Sequence, residues 1–203
     1  MIQEFEDTPE SFEKLNQHLN LPALIDHVIC QIYQGKSDWP RKNYFLMGNR
    51  ANFSHFQFGS WDSEIGFYEK KQGYGKEAKN ALYHAPLSSI KFLSDQRGPG
   101  FWFNHLRKSE EFRIIFADRF HELISKGGLS PQKASRLYRS LLDDVTPLLL
   151  AEALRWGDTQ REESYLPYGE EWQNLTSDQS WLFTHFFPLR PICLLYTSPS
   201  PRD

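Results

Sequence analysis

The chain has 203 residues, 39% of them hydrophobic and 24% charged, with a formal net charge of -3 and a pI near 6.2. That length supports one sizeable core, and the mild acidity gives no electrostatic case for nucleic acid or an anionic membrane as partner. No apolar run reaches the roughly 20 residues of a membrane span, and the opening M-I-Q-E-F-E-D is acidic where a signal peptide is basic and then apolar.

Aromatic residues make up 15% of the chain, with 16 Phe and 6 Trp, so the core is expected to be built from large pieces. Residues 193–203, C-L-L-Y-T-S-P-S-P-R-D, read as the conceptual translation of a transposase-type sequencing adapter and are set aside from fold reasoning. Cys30 then has no partner for an internal disulfide, and the natural sequence is expected to continue past Ile192.

In chain order, Thr8-Pro9 opens a helix with Phe12, Leu15 and Leu19 on one face, ended by Asn20. Pro22 starts a second, with Leu24, Ile25, Val28, Ile29 and Ile32 at helical spacing and Gly35 as its stop. Asp26 and His27 read as its polar edge. Tyr44–Met47 and residues 53–60 predict an antiparallel hairpin. Residues 67–96 carry a weaker pattern, and Gly73-Tyr74-Gly75 lacks the strand and helix that a phosphate loop needs.

Gly98-Pro99-Gly100 is a break and a subdomain seam. Beyond it, the apolar residues from Phe101 to Ile124 read as one helix face. A helix capped by Ser130-Pro131 carries Leu137, Tyr138, Leu141 and Leu142. Another starts near Thr146-Pro147 and stops at Gly157, and a last one spans residues 170–186. The fold class expected is α+β: a helical block, residues 98–192, behind a loop-and-hairpin part, residues 1–97.

The chemistry gathers in residues 34–66. Asp38 and Asn43 form D-x-x-x-x-N, the spacing at which a kinase catalytic loop carries its proton-accepting Asp and a metal-holding Asn. Lys36-Ser37 stands where His-Arg is usual. Asp62 follows a strand ending F-G-S-W, where kinases place their main metal-binding Asp, although Ser63-Glu64 replaces the expected Phe-Gly. The hairpin supplies a reason for convergence, because its first strand begins just after Asn43 and its second ends just before Asp62. Magnesium takes oxygen ligands and only one or two carboxylates, which Asn43 and Asp62 fit. The seven His residues show no zinc-ligand spacing.

The run L-I-D-H-V-I-C-Q-I-Y-Q-G-K-S-D-W-P-R-K-N-Y, followed by F-G-S-W-D-S-E-I-G, resembles the spore-coat protein H (CotH-type) kinase family. F-W-F-N-H-L-R-K-S-E-E-F-R-I-I-F-A-D-R-F, G-G-L-S-P, A-L-R-W-G-D and H-F-F-P-L-R extend the resemblance in order. It implies the C-terminal lobe of an atypical protein kinase, transferring phosphate from ATP to protein Ser or Thr with magnesium. Asp38 would be the catalytic acid/base, and Asn43 and Asp62 the cofactor-side metal residues. The lobe with the phosphate-gripping Lys and its Glu is expected upstream of Met1, so this chain alone is expected to be inactive. The alternative is a surface-display or protein-binding module on the same fold. Family members are often exported or attached to spore or cell surfaces.

Overall fold

The computed structural model describes residues 9–36, 39–51, 55–63, 66–67, 98–156 and 177–197. Among them the chain is mostly helical, with one small antiparallel sheet. It divides into two compact units, residues 1–122 with 193–203, and residues 123–192.

The first unit is built on α2 (Leu21–Gln34), which follows α1 (Pro9–His18). Asn20 caps α2 by accepting the Ala23 amide on Oδ1 at 3.0 Å, with Pro22 in the first turn. Gly35 ends it at φ 67, its amide bonding Ile32 O at 3.1 Å while the Lys36 amide reaches Gln31 O at 3.4 Å. That pair of bonds is a Schellman motif, and the left-handed position it needs suits glycine. The five aliphatic residues expected on the buried face are buried, and so are Leu21, His27, Gln31 and Tyr33. α2 is therefore enclosed nearly all round, and His27 belongs to the interior instead of a polar edge. Asp26 is half-exposed and takes a two-pronged ion pair from Arg119, at 2.7 and 2.9 Å.

β1 (Tyr44–Met47) and β2 (Gln57–Ser60) form the expected hairpin, with Tyr44 opposite Ser60 and Met47 opposite Gln57. β2 packs on α2, and Phe56 tethers the sheet by exchanging backbone bonds with His18 and Asn20 at 2.7 and 2.8 Å.

α3 (Gly98–Leu106) also packs on α2. Gly98-Pro99-Gly100 is its first turn, so the break is also a helix start. The apolar run that follows is two helices, not one. α3 ends at Leu106, and α4 (Glu110–Ser125) restarts after Ser109, whose carbonyl and hydroxyl accept the Arg113 and Phe112 amides at 3.2 and 3.5 Å. Ile115, expected on the buried face, is exposed. Phe103, Phe112, Phe116 and Phe120 form an aromatic ladder with centroids 5.1 to 6.2 Å apart.

In the second unit, α5 (Pro131–Trp156) runs unbroken through Pro147, where two helices were expected. Pro147 and Asp143, the residue whose carbonyl Pro147 cannot bond, are both exposed. Leu137 and Leu141 point outward, whereas Ala134 and Leu142 are buried. A helical stretch from Trp181 includes a π-helical segment, Leu182–Phe186, and continues as α6 (Phe187–Thr197). It does not stop at Phe186 as expected. Phe183 packs edge to face on Tyr138 and Phe187 at 5.7 and 5.6 Å, the Tyr138 and Phe187 rings lie tilted at 5.5 Å, and Arg139 lies 4.2 Å from the Phe183 ring centre while paired with Asp178. Among the described residues, no helix is long and apolar enough to cross a membrane.

Candidate functional site

The hairpin's open end carries two residues with the same unusual backbone: Asn43 at φ 64 and Asp62 at φ 54. Asn and Asp are the side chains that best tolerate this left-handed region. The Trp61 amide donates to the Asn43 carbonyl at 3.2 Å, extending the ladder one step past Tyr44 and Ser60. Asp62 thus stands one residue beyond the partner of Asn43. Asn43 is half-buried and Asp62 exposed.

α2 supports this end from below. Lys36, the second residue past the helix, has 0% exposure, and its Nζ donates to the Trp61 carbonyl at 2.7 Å and to the Ser63 Oγ at 3.3 Å. Gln31 is also fully buried, and its Nε2 donates to the Ser60 hydroxyl at the end of β2. The Gln31 Oε1 has no hydrogen-bond partner among the described residues. Past Asp62 the chain turns, with the Gly66 amide on Ser63 O at 3.0 Å, and returns to α2, where the Phe67 amide donates to Gln34 O at 2.9 Å. The end of α2 is therefore bonded to the chain both before and after Asp62.

Asp38 lies outside the described residues, as do Gly73-Tyr74-Gly75 and Glu64. Its neighbours in sequence, Lys36 and Trp39, are both buried. The Trp39 Nε1 donates to the His27 Nε2 at 3.1 Å, which places the His27 proton on Nδ1. Phe58 stands 6.1 Å from the same imidazole, and burial, then the Lys36 charge, lowers the His27 pKa to about 4. His27 is thus a neutral acceptor inside the fold. Tyr44, next to Asn43, packs edge to face on Phe58 at 5.8 Å and lies against Gly98, where a Cβ would overlap its ring.

The donor set suits a hard cation. Asp62 offers a solvent-facing carboxylate that pairs with no cation among the described residues, and Asn43 offers an amide oxygen. Magnesium takes few protein ligands and keeps water and phosphate oxygens. Among the described residues, no group of three or more His, Cys, Asp or Glu is poised to hold a metal. The sequence did not signal Lys36, His27, Gln31 or Trp39 as parts of this end. Lys36 stood out only as a departure from His-Arg, and nothing in its immediate neighbours signals that its charge is buried.

A small sheet on a buried helix, with acidic and amide side chains at its open end, defines a helical α+β protein with an oxygen-rich polar site. The CotH kinase protein family model matches residues 1–180, and the chain belongs to that family of kinases. Neither the curated proteins nor the solved structures compared with it give a match.

Proposed function

We propose that the chain carries the metal and proton-transfer side of an atypical protein kinase site, acting on Ser or Thr of a protein substrate. The observation that supports this most is the backbone bond from the Trp61 amide to the Asn43 carbonyl, which joins Asn43 to the residue before Asp62 at the end of a hairpin in a CotH-family chain. On this reading Asn43 and Asp62 would hold magnesium, and Asp38 would accept the proton of the substrate hydroxyl as the hydroxyl oxygen attacks the terminal phosphorus of ATP and the bond to the departing ADP breaks. When bound, the magnesium offsets the negative charge of the phosphates. The rest belongs to this chain's own side chains: Lys36 and Gln31 brace the Asp62 segment, while His27 holds Trp39, the residue that follows Asp38 in sequence.

The mostly helical part corresponds to a kinase C-terminal lobe. In kinases a Lys and a Glu grip the nucleotide phosphates, and none of the residues named here is assigned to those two roles. The test is transfer from ATP to a Ser- or Thr-containing protein by a chain extended upstream. Asp38→Asn and Asp62→Asn are expected to abolish it, and retention of parental rates by both would sink the assignment. A second reading, a surface-display or binding module without the chemistry, draws on the exposed row Leu137, Leu141 and Leu148 of α5. It predicts no magnesium-dependent ATP binding.

A further inference from the structure

Lys36 is the one described lysine with no exposed surface. A buried ammonium is costly, and an apolar chain of similar length would fill the same space at lower cost. What an apolar chain could not supply is directed hydrogen bonding. The Lys36 Nζ reaches the Trp61 carbonyl at 2.7 Å and the Ser63 hydroxyl at 3.3 Å, the two neighbours of Asp62. Residues 61–63 have no regular secondary structure, and Asp62 sits there at φ 54. A strained, exposed residue keeps one backbone conformation only if its surroundings determine it. The rigid support here is the Schellman end of α2, from which Lys36 projects.

We propose that Lys36 is a positioning residue: its buried ammonium clamps Trp61 and Ser63, fixes the left-handed backbone between them, and so aims the Asp62 carboxylate at a divalent cation. The last step rests on the reading of Asp62 as a metal-side residue, while the clamp itself does not.

Charge and position predict opposite signs for removal of this lysine. By Coulomb's law alone, deleting a positive charge near Asp62 strengthens the binding of a cation there. If Lys36 positions the carboxylate, deletion weakens it. Lys36→Met keeps the length and apolar stem of the side chain and removes the donors.

Hydrogen exchange read by mass spectrometry on the full chain tests the clamp. In Lys36→Met, amides 61–63 are expected to exchange about tenfold faster or more, from loss of two charge-assisted bonds, while α2 keeps its protection and unfolding stays cooperative. Unchanged exchange at 61–63 overturns the clamp. Should Lys36→Met not unfold cooperatively, Ser63→Ala carries the test by removing one acceptor from a half-buried position, with exchange expected about threefold faster; no change there overturns the clamp equally.

Mn2+ binding, followed by the electron paramagnetic resonance of the free ion, tests the aim. Affinity is expected to fall about tenfold in Lys36→Met, against the Coulomb sign. An affinity that rises or stays level overturns the positioning role and leaves the metal reading standing. Asp62→Asn is the separate arm: if it binds Mn2+ as the parent does, or if the parent takes up none, the metal reading itself fails and the aiming role with it.

Discussion

Asn43 and Asp62 share a left-handed backbone, at φ 64 and 54, and are joined through the bond from the Trp61 amide to the Asn43 carbonyl at 3.2 Å. Backbone preference and ligand chemistry both favour Asn and Asp at these positions, so conservative substitutions can separate the two. Asn43→Gly keeps the conformation and loses the amide oxygen; Asn43→Ala keeps neither. Thermal unfolding is expected to change little in Asn43→Gly and to cost about 1 kcal/mol in Asn43→Ala. Asp62→Asn tolerates the same φ and removes only the charge. In an upstream-extended chain it is expected to lower magnesium-dependent phosphate transfer by about 100-fold or more, with the melting temperature held.

The His27 imidazole predicts a pH dependence of stability. Its folded pKa, about 4, lies below the ordinary 6.5. Between those values the unfolded chain binds the proton and the folded chain does not. The contribution is fully present above about pH 6.5 and is lost as pH falls toward 4. The full shift corresponds to a loss on the order of 3 kcal/mol. Urea unfolding across this window measures it. His27→Gln, whose amide oxygen can still accept the Trp39 indole, is expected to show a shallower slope, and an equal slope would assign the dependence to other groups.

Most of the fold near the site was legible because its signals are local. Pro22 and Gly35 mark α2 through chemistry that needs no tertiary partner, and the alternation around Phe58 marks β2. The misreadings came where a local rule was overridden or passed over. Pro147 did not end α5; it and Asp143, whose carbonyl it leaves without a helical donor, both belong to the exposed side of the helix. Ser109-Glu110-Glu111 was a readable cap-and-acid start that would have divided the run from Phe101 to Ile124 into two helices. Lys36 could not have been found this way, since its burial depends on where residues 61–63 return, a relationship between distant parts of the chain.

Arg119 and Asp26 tie α4 to α2 across a long sequence separation, with N–O distances of 2.7 and 2.9 Å. Asp26, then Glu122, holds the Arg119 guanidinium firmly protonated. Both partners are over a third exposed, at 37% and 39%, so the pair is screened by solvent in spite of its two-pronged geometry. A double-mutant cycle with Arg119→Ala and Asp26→Asn is expected to give a coupling of about 0.5–1 kcal/mol, shrinking in high salt. Arg119→Lys is expected to recover less than half of it, because an ammonium cannot make the parallel pair of bonds.

Gly98 and Gly128 offer a paired test of what supports Tyr44, the residue next to Asn43. Gly98 begins α3 at φ +63, and a Cβ there would overlap the Tyr44 ring; a Cβ on Gly128 meets nothing within 4 Å. Gly98→Ala therefore combines left-handed strain with displacement of an aromatic ring that also packs on Phe58. The expected cost is about 2 kcal/mol or more, a drop of roughly 4–8 °C in melting temperature for a chain of this size. Gly128→Ala is expected to be neutral or to stabilise by up to about 1 kcal/mol through reduced freedom of the unfolded chain. The Tyr44 ring has Phe58 on one side and Gly98 on another, so its movement would reach the start of β1. Gly98→Ala is accordingly expected to speed hydrogen exchange at the Trp61 amide as well, since its acceptor, the Asn43 carbonyl, is one residue from Tyr44. If stability falls without that faster exchange, Gly98 supports α3 alone and the open end of the hairpin is held from α2.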